Sequence, residues 1–203
     1  MNVRYMGDSA LLVETGDAAA AQELRRVLRE LTLPGLRQLV PGATSLLIVV
    51  NPLLTDLDDL ARRLPELRRT PAEALPPRQH EFGVRYDGAD LDPAARMLGM
   101  DTAELVRRHT APAYTVAFLG FAPGFPYLTG LDPLLRLPRR ADPRLQVPAG
   151  SVALAGEFCG IYPMATPGGW HVLGRCEARL FDPGRSPPAL LAPGDRVRFK
   201  ARS

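Results

Sequence analysis

Apolar and polar positions follow two different patterns, and the change between them divides the chain. Over roughly the first seventy residues, short alternating runs interleave with runs of helical spacing. Val3-Arg4-Tyr5 and Ala10-Leu11-Leu12-Val13-Glu14 read as two strands around a Gly7-Asp8 turn. Leu24, Val27, Leu28 and Leu31 recur on one helical face between Asp17 and Leu31, and Pro34-Gly35 closes that helix. Leu36 to Val40 and Ser45 to Val50 read as paired strands across Pro41-Gly42. Thr55 is placed to cap a second helix that buries Leu57, Leu60, Leu64 and Leu67. The predicted order is β-β-α-β-β-α, a small α+β domain over residues 1–76. Pro71, Pro76 and Pro77 make the segment from Thr70 to Arg78 read as an extended linker, and the boundary is placed there.

Beyond the linker, Glu81 to Tyr86 reads as a strand. Asp92-Pro93 predicts a capped helix start with proline at the first helical position, and Gly99 ends that helix. Asp101 and Glu104 have the spacing of a capping box for a second short helix ending near His109. From Tyr114 onward, short apolar runs alternate with Pro/Gly turns. The runs are Tyr114 to Phe121, Val147 to Ala155, Cys159 to Pro163, Trp170 to Leu173, Ala178 to Phe181 and Arg196 to Lys200. Residues 77–203 are therefore expected to form a mostly-β domain, a barrel or a sandwich.

Composition narrows the function classes. With 46% hydrophobic and 23% charged residues the chain is ordinary for a globular protein. No apolar run approaches the roughly 20 residues needed to cross a bilayer, so no membrane association is expected. The start lacks a basic segment followed by an apolar one, so no signal peptide is expected and the expected location is cytoplasmic. Cys159 and Cys176 are the only cysteines, and His80, His109 and His171 the only histidines. Their spacing predicts neither a disulfide framework nor a metal site. The net charge of +3 is carried almost wholly by dispersed arginines mixed with acids, and no nucleic-acid signature appears. Lys200 is the only lysine, and no G-x-x-x-x-G-K-[ST] loop occurs. Any ATP chemistry then needs another kind of site or another subunit.

The candidate chemistry gathers between residues 109 and 175. Gly120-Phe121-Ala122-Pro123-Gly124-Phe125-Pro126-Tyr127 holds two prolines and two glycines among three aromatics, and reads as a fixed loop that presents rings. Val147-Pro148-Ala149-Gly150-Ser151 and Ala165-Thr166-Pro167-Gly168-Gly169-Trp170 have the same character. Three rigid loops in so short a span predict a pre-organised cleft rather than ordinary barrel turns. Arg136, Arg139, Arg140 and Arg144 are either guanidinium clamps for carboxylate or phosphate, or a solvated face paired with Asp132 and Asp142. What separates the two is whether one arginine points into the cleft. His109, just ahead of the loops, is a candidate acid/base group, though a lone histidine more often packs. His171 follows Trp170 in a strand, so one of those two is expected to face outward. Ser151 lacks a G-x-S-x-G elbow and reads as a turn donor rather than a nucleophile.

These residues resemble a known family. The run from Tyr114 to Leu128, then Pro138-Arg139-Arg140, Pro143-Arg144, Val147 to Val152, Gly160-Ile161-Tyr162-Pro163, Thr166 to Trp170 and Leu173-Gly174-Arg175 is similar to the signature of the 5-oxoprolinase B subunits. That family is also called allophanate hydrolase subunit 1 and includes a Kip-type inhibitor of a sporulation histidine kinase. The resemblance implies a cyclophilin-like β-barrel after a small α+β domain, and subunits C and A as partners. It also implies ATP-dependent, magnesium-supported opening of 5-oxo-L-proline to L-glutamate, a lactam hydrolysis. With no P-loop and one lysine, this chain alone is not expected to bind ATP. On that reading Phe125, Tyr127 and Trp170 wall the pocket, and an arginine among Arg139, Arg140 and Arg144 holds a carboxylate or phosphate. Gly150, Ser151, Gly168 and Gly169 supply N–H donors, and His109 is the catalytic candidate. The alternatives are a Kip-type kinase inhibitor and a carboxyltransferase-type subunit of a urea carboxylase/allophanate system. One departure stands out: where the family commonly has Gln-Thr, this chain has Phe158-Cys159.

Overall fold

The computed structural model describes residues 2–67 and 77–202. The expected linker, 70–78, lies outside the described residues except for Pro77 and Arg78. The chain divides into two compact units, Met1–Pro76 and Pro77–Ser203.

In the first unit, strands β1 (Asn2–Tyr5), β2 (Ala10–Glu14), β3 (Leu36–Pro41) and β4 (Ser45–Val50) form an antiparallel sheet of order β1-β2-β4-β3. Helices α1 (Ala18–Glu30) and α2 (Leu57–Leu67) bury their apolar stripes on it. Leu11 and Val13 of β2, with Leu46, Ile48 and Val50 of β4, alternate inward and meet Leu24, Leu28, Leu60 and Leu64. Asp17 caps α1 by accepting the Ala20 N–H at 2.7 Å. The cap of α2 is not Thr55. Its hydroxyl donates instead to the carbonyl of Pro34, and Asp56 Oδ1 accepts the N–H groups of Asp58 and Asp59.

The second unit is a closed barrel, not a sandwich. Its strands are β5 (Gln79–Arg85), β6 (Tyr114–Leu119), β7 (Pro126–Thr129), β9 (Ser151–Ala155), β10 (Phe158–Ile161), β12 (His171–Arg175) and β13 (Arg196–Arg202). The order around the barrel is β10-β7-β6-β13-β5-β12-β9, and β9 pairs with β10 to close it. The β5–β13 pair is parallel and the other pairs are antiparallel. Helices α3 (Leu91–Met97) and α4 (Thr102–Thr110) follow β5, and a short pair, β8 (Arg144–Val147) with β11 (Thr166–Gly168), lies outside the barrel order. Val84, Val116, Leu128, Leu154, Ile161 and Leu173 point inward and fill the interior.

Three local expectations fail for identifiable reasons. The helix expected at Asp92-Pro93 starts at Leu91, and its N-cap, Asp90, makes no side-chain capping bond because its carboxylate is engaged elsewhere. The aromatic loop yields to strand β7 from Pro126, which pairs opposite Leu119 where a proline is tolerated at a strand start. Ala178 to Phe181 forms no strand, only one bridge between Phe181 and Ala189.

Candidate functional site

Alternation along the barrel strands puts one set of side chains inside and another outside. On the outside, β7, β9, β10 and β12 present Tyr127, Ala153, Ala155, Phe158 and Val172, which pack with Phe125, Tyr162 and Trp170 into a second apolar cluster. The rings meet mainly edge to face: Phe125 and Trp170 at 5.3 Å, Phe125 and Tyr162 at 5.1 Å, Tyr127 and Trp170 at 5.5 Å. Phe118 stacks on Tyr127 at 4.3 Å. Gly160 makes this packing possible. A Cβ there would stand 2.9 Å from Phe125 Cζ and from the Pro126 carbonyl, and 3.0 Å from Trp170. Phe125, Tyr162 and Trp170 are buried, while Phe118, Tyr127 and Phe158 stay half-buried. Burial raises the phenols of Tyr127 and Tyr162, so both are neutral donors at ordinary pH.

Asp90 organises the edge of this face. It is buried at 1% exposure and accepts Arg140 Nη1 at 2.6 Å, Arg144 Nη1 and Nη2 at 2.6 and 2.8 Å, and the Val172 N–H at 2.8 Å. Burial alone would raise its carboxyl. The Arg144 bonds, the Val172 amide and the two positive charges outweigh it and hold the group below the usual range. Arg140 is pinned again by its own N–H, which donates to the Gly169 carbonyl at 2.8 Å, and His171 Nε2 donates to the Pro138 carbonyl at 2.9 Å. Chain direction does the rest. With Arg140 turned to Asp90, the neighbouring Arg139 is exposed, and its charge lowers the phenols of Tyr127 and Tyr162 against the burial effect. Among the described residues Arg139 makes no hydrogen bond or ion pair. Of the three arginines, one therefore stands beside the aromatic face with its donors free, and two are structural anchors.

The other predicted site residues fall in different places. Gly150 donates its N–H to the Tyr162 carbonyl at 2.7 Å, and Ser151 donates to the Pro148 carbonyl at 3.3 Å, so both are spent inside the fold. Gly168 pairs with Arg144 in the β8–β11 ladder, and a Cβ on it would collide with the Tyr162 hydroxyl; Gly169 offers its carbonyl to Arg140. These four glycine and serine positions shape backbone approach rather than form one donor nest. His109 lies in the barrel core at 0% exposure. Its Nδ1 sits 2.8 Å from Tyr86 Oη and its Nε2 3.1 Å from Cys159 Sγ, with Phe199 stacked at 4.9 Å. Burial lowers its pKa to about 3, so it is neutral at ordinary pH. The structure does not bring it to the aromatic face. Of Trp170 and His171, Trp170 takes the outer side, within the aromatic cluster, yet both are buried, at 5% and 4% exposure.

Phe158 and Cys159 separate cleanly. Phe158 joins the outer rings, 5.5 Å from Tyr127, and Cys159 turns into the core against His109. Sequence reasoning missed Asp90, and it carried Phe118 and Tyr162 only within the family signature, not as site residues. The one signal for Asp90 was a second acid two residues ahead of Asp92, a position that one helix start does not need. Among the described residues no group of three or more His, Cys, Asp or Glu side chains converges as a metal site. Asp90, the buried carboxylate here, is saturated by arginine, and Lys200 pairs with Glu81 at 2.9 Å. These residues do not by themselves fit a magnesium-bound nucleotide.

The chain is similar to known proteins over nearly its whole length. The model of the family described as carboxyltransferase domain, subdomain C and D, matches residues 1–191. The 5-oxoprolinase B subunit of Escherichia coli O157:H7 is 40% identical over 96% of this chain and 93% of its own length. That of Bacillus subtilis strain 168 is 33% identical over 98% and 93%. The crystal structure of TTHA0988 is 38% identical with a TM-score of 0.82; the match covers all of this chain but only 40% of that longer one. A match of that extent and identity means that the chain belongs to the family of 5-oxoprolinase B subunits, within the carboxyltransferase subdomain C and D fold group.

Proposed function

We propose that this chain is the B component of an ATP-dependent 5-oxoprolinase and acts with subunits C and A to open 5-oxo-L-proline to L-glutamate. The observation that carries the reading is a near full-length match to 5-oxoprolinase B subunits, in a chain whose Pro/Gly loops build one aromatic face beside a free arginine. 5-Oxoproline is a flat, mostly apolar lactam ring with one carboxylate. Half-buried rings at Phe118, Tyr127 and Phe158 suit the ring, and Arg139 suits the carboxylate. Phe125 and Trp170 support those rings from behind. Arg140 and Arg144 fix the segment that carries Arg139. His109 is assigned to core packing, since a buried neutral ring with both nitrogens engaged has no route to substrate.

The lactam is a stable amide, and its hydrolysis needs coupling to ATP. Magnesium and ATP are used at the level of the complex, and this chain is not assigned the site that holds them. Its part is to bind the substrate, orient the ring and exclude water from one face of it. The barrel is assigned to the cyclophilin-like type over residues 77–203, following a small α+β domain over residues 1–76, and the working location is the cytoplasm. Co-expression with subunits A and C, followed by an assay for ATP- and oxoproline-dependent glutamate, tests the reading. Glutamate is expected from the assembled complex and not from the chain alone. A correctly assembled complex that forms none would refute it.

A further inference from the structure

A cavity on the barrel unit, of about 560 Å³, shares no residue with the aromatic cluster. Arg85, Arg175, Arg179 and Arg202 line it, with Glu177 as the one acid. Pro163, Cys176 and Ala178 give it an apolar part. The strand register explains how the charges come together. Arg175 of β12 stands opposite Arg85 of β5, and Arg85 stands opposite Arg202 of β13. Three arginines thus form one row across three neighbouring strands, on the same side of the sheet. Adjacent strands are about 4.8 Å apart, so the row spans roughly 10 Å.

Like charges directly across strands destabilise a sheet. Here compensation is thin. Arg85 and Arg175 share a single oxygen of Asp87, at 2.9 and 3.2 Å. Arg179 is paired with Asp182 at 3.2 Å. Among the described residues the Arg202 side chain has no hydrogen bond or ion pair. Its side chain lies across Gly83, where any Cβ would collide with the guanidinium stem. The glycine keeps Arg202 laid into the cavity, beside Arg85, where repulsion alone would send it outward.

We propose that this arginine row binds a small molecule carrying two or more negative charges, a di- or triphosphate or a dicarboxylate. Bidentate guanidinium contacts suit both oxyanions, and a row of roughly 10 Å accommodates two charged groups held a few bonds apart. The residues of this row are separate from those of the aromatic face.

Calorimetric titration of the purified chain with sodium pyrophosphate and, separately, with glutarate tests this at fixed ionic strength. Saturable 1:1 binding of either probe is expected; which probe binds distinguishes the phosphate source from the carboxylate one. Arg202→Gln and Arg85→Gln are expected to weaken it tenfold or more, and Glu177→Gln to tighten it severalfold. Arg198→Gln, also exposed on β13 but outside the row, is expected to leave it within twofold. Without ligand, Arg202→Gln is expected to melt no lower than the unsubstituted chain, because it relieves repulsion. No saturable binding of either probe, or equal weakening by the Arg198 and Arg202 variants, would overturn the proposal.

Discussion

Asp90→Asn removes one charge and little volume, yet it is expected to destabilise the barrel unit substantially. Asp90 accepts three bonds from two guanidinium groups and a fourth from the Val172 amide. The asparagine has one acceptor oxygen, and its amide would point N–H groups at arginine donors. Removing one member of a buried ion pair costs about 3–5 kcal/mol, chiefly from the charge left behind. Arg140 and Arg144 retain 30% and 26% exposure, so water recovers part of that. A net loss of about 2–4 kcal/mol remains. For a unit of this size, about 3–4 °C of melting temperature goes with each kcal/mol, which predicts a fall of about 6–16 °C. The sign of the pH dependence follows from the depressed carboxyl. Its contribution is complete above the unfolded value, near pH 4, and disappears as pH falls through the lower folded value. The gap between the two proteins is therefore full at neutral pH and closes in acid. Thermal unfolding at pH 7 and pH 3 measures both. A fall below about 2 °C at pH 7 would show that the arginines do not depend on Asp90. Removing all three charges together, as Asp90→Leu, Arg140→Met and Arg144→Met in one chain, is expected to recover much of the melting temperature, since apolar groups of similar size often match a buried ion cluster.

The remaining expectations concern single contacts. Arg139→Ala is expected to raise the KM for 5-oxoproline in the assembled complex tenfold or more, with the melting temperature of the chain unchanged; a normal KM would remove Arg139 from the substrate site. Gly160→Ala forces a methyl against Phe125, Pro126 and Trp170 and is expected to cost about 1–3 kcal/mol. Trp170 is the only tryptophan, so its fluorescence reports that displacement directly. His109, with its pKa lowered to about 3 by burial, stays neutral in the fold while the unfolded chain takes up a proton below about pH 6.5. Stability is therefore lost as pH falls from that value toward 3, by roughly 2–3 kcal/mol between pH 6.5 and 4.5. In urea unfolding, His109→Gln is expected to lose less over that interval by the same amount, and an unchanged slope would show that the ring is already open to protons.

Much of the barrel was legible as short apolar runs bounded by proline and glycine turns. Which face each residue takes was not, because both faces are apolar: Leu154 and Leu128 point inward while Ala153 and Tyr127 join the outer cluster. Proline and glycine were legible too, but only as interruptions. They located the loops, while the start of β7 at Pro126 depended on its pairing with Leu119, which no local pattern carries. Asp92-Pro93 misled for the same reason. The acid that matters, Asp90, is committed to partners 50 and 54 residues away, and a helix-start signal is blind to them. Trp170 and His171 are both buried because the outer side is itself covered: Trp170 packs among the outer rings, and the segment carrying Pro138 and Arg140 bonds to His171 and Gly169.

The arginines show why spacing alone could not assign roles. Arg139, Arg140 and Arg144 are chemically identical, and each was an equal candidate for a carboxylate. The fold separates them through one buried acid. Asp90 claims Arg140 and Arg144, and because adjacent residues in extended chain point to opposite sides, claiming Arg140 delivers Arg139 toward the aromatic rings. A buried ion cluster of this kind adds little net stability over apolar packing. What it adds here is direction: the loop is held by two charged anchors, one backbone bond and one bond from the His171 ring, and its remaining charge acts on the phenols of Tyr127 and Tyr162. If that is its role, the apolar triple replacement should separate the two functions. It should restore the melting temperature that Asp90→Asn loses and still leave the KM for 5-oxoproline raised, because a loop that packs well is not thereby a loop that aims its arginine.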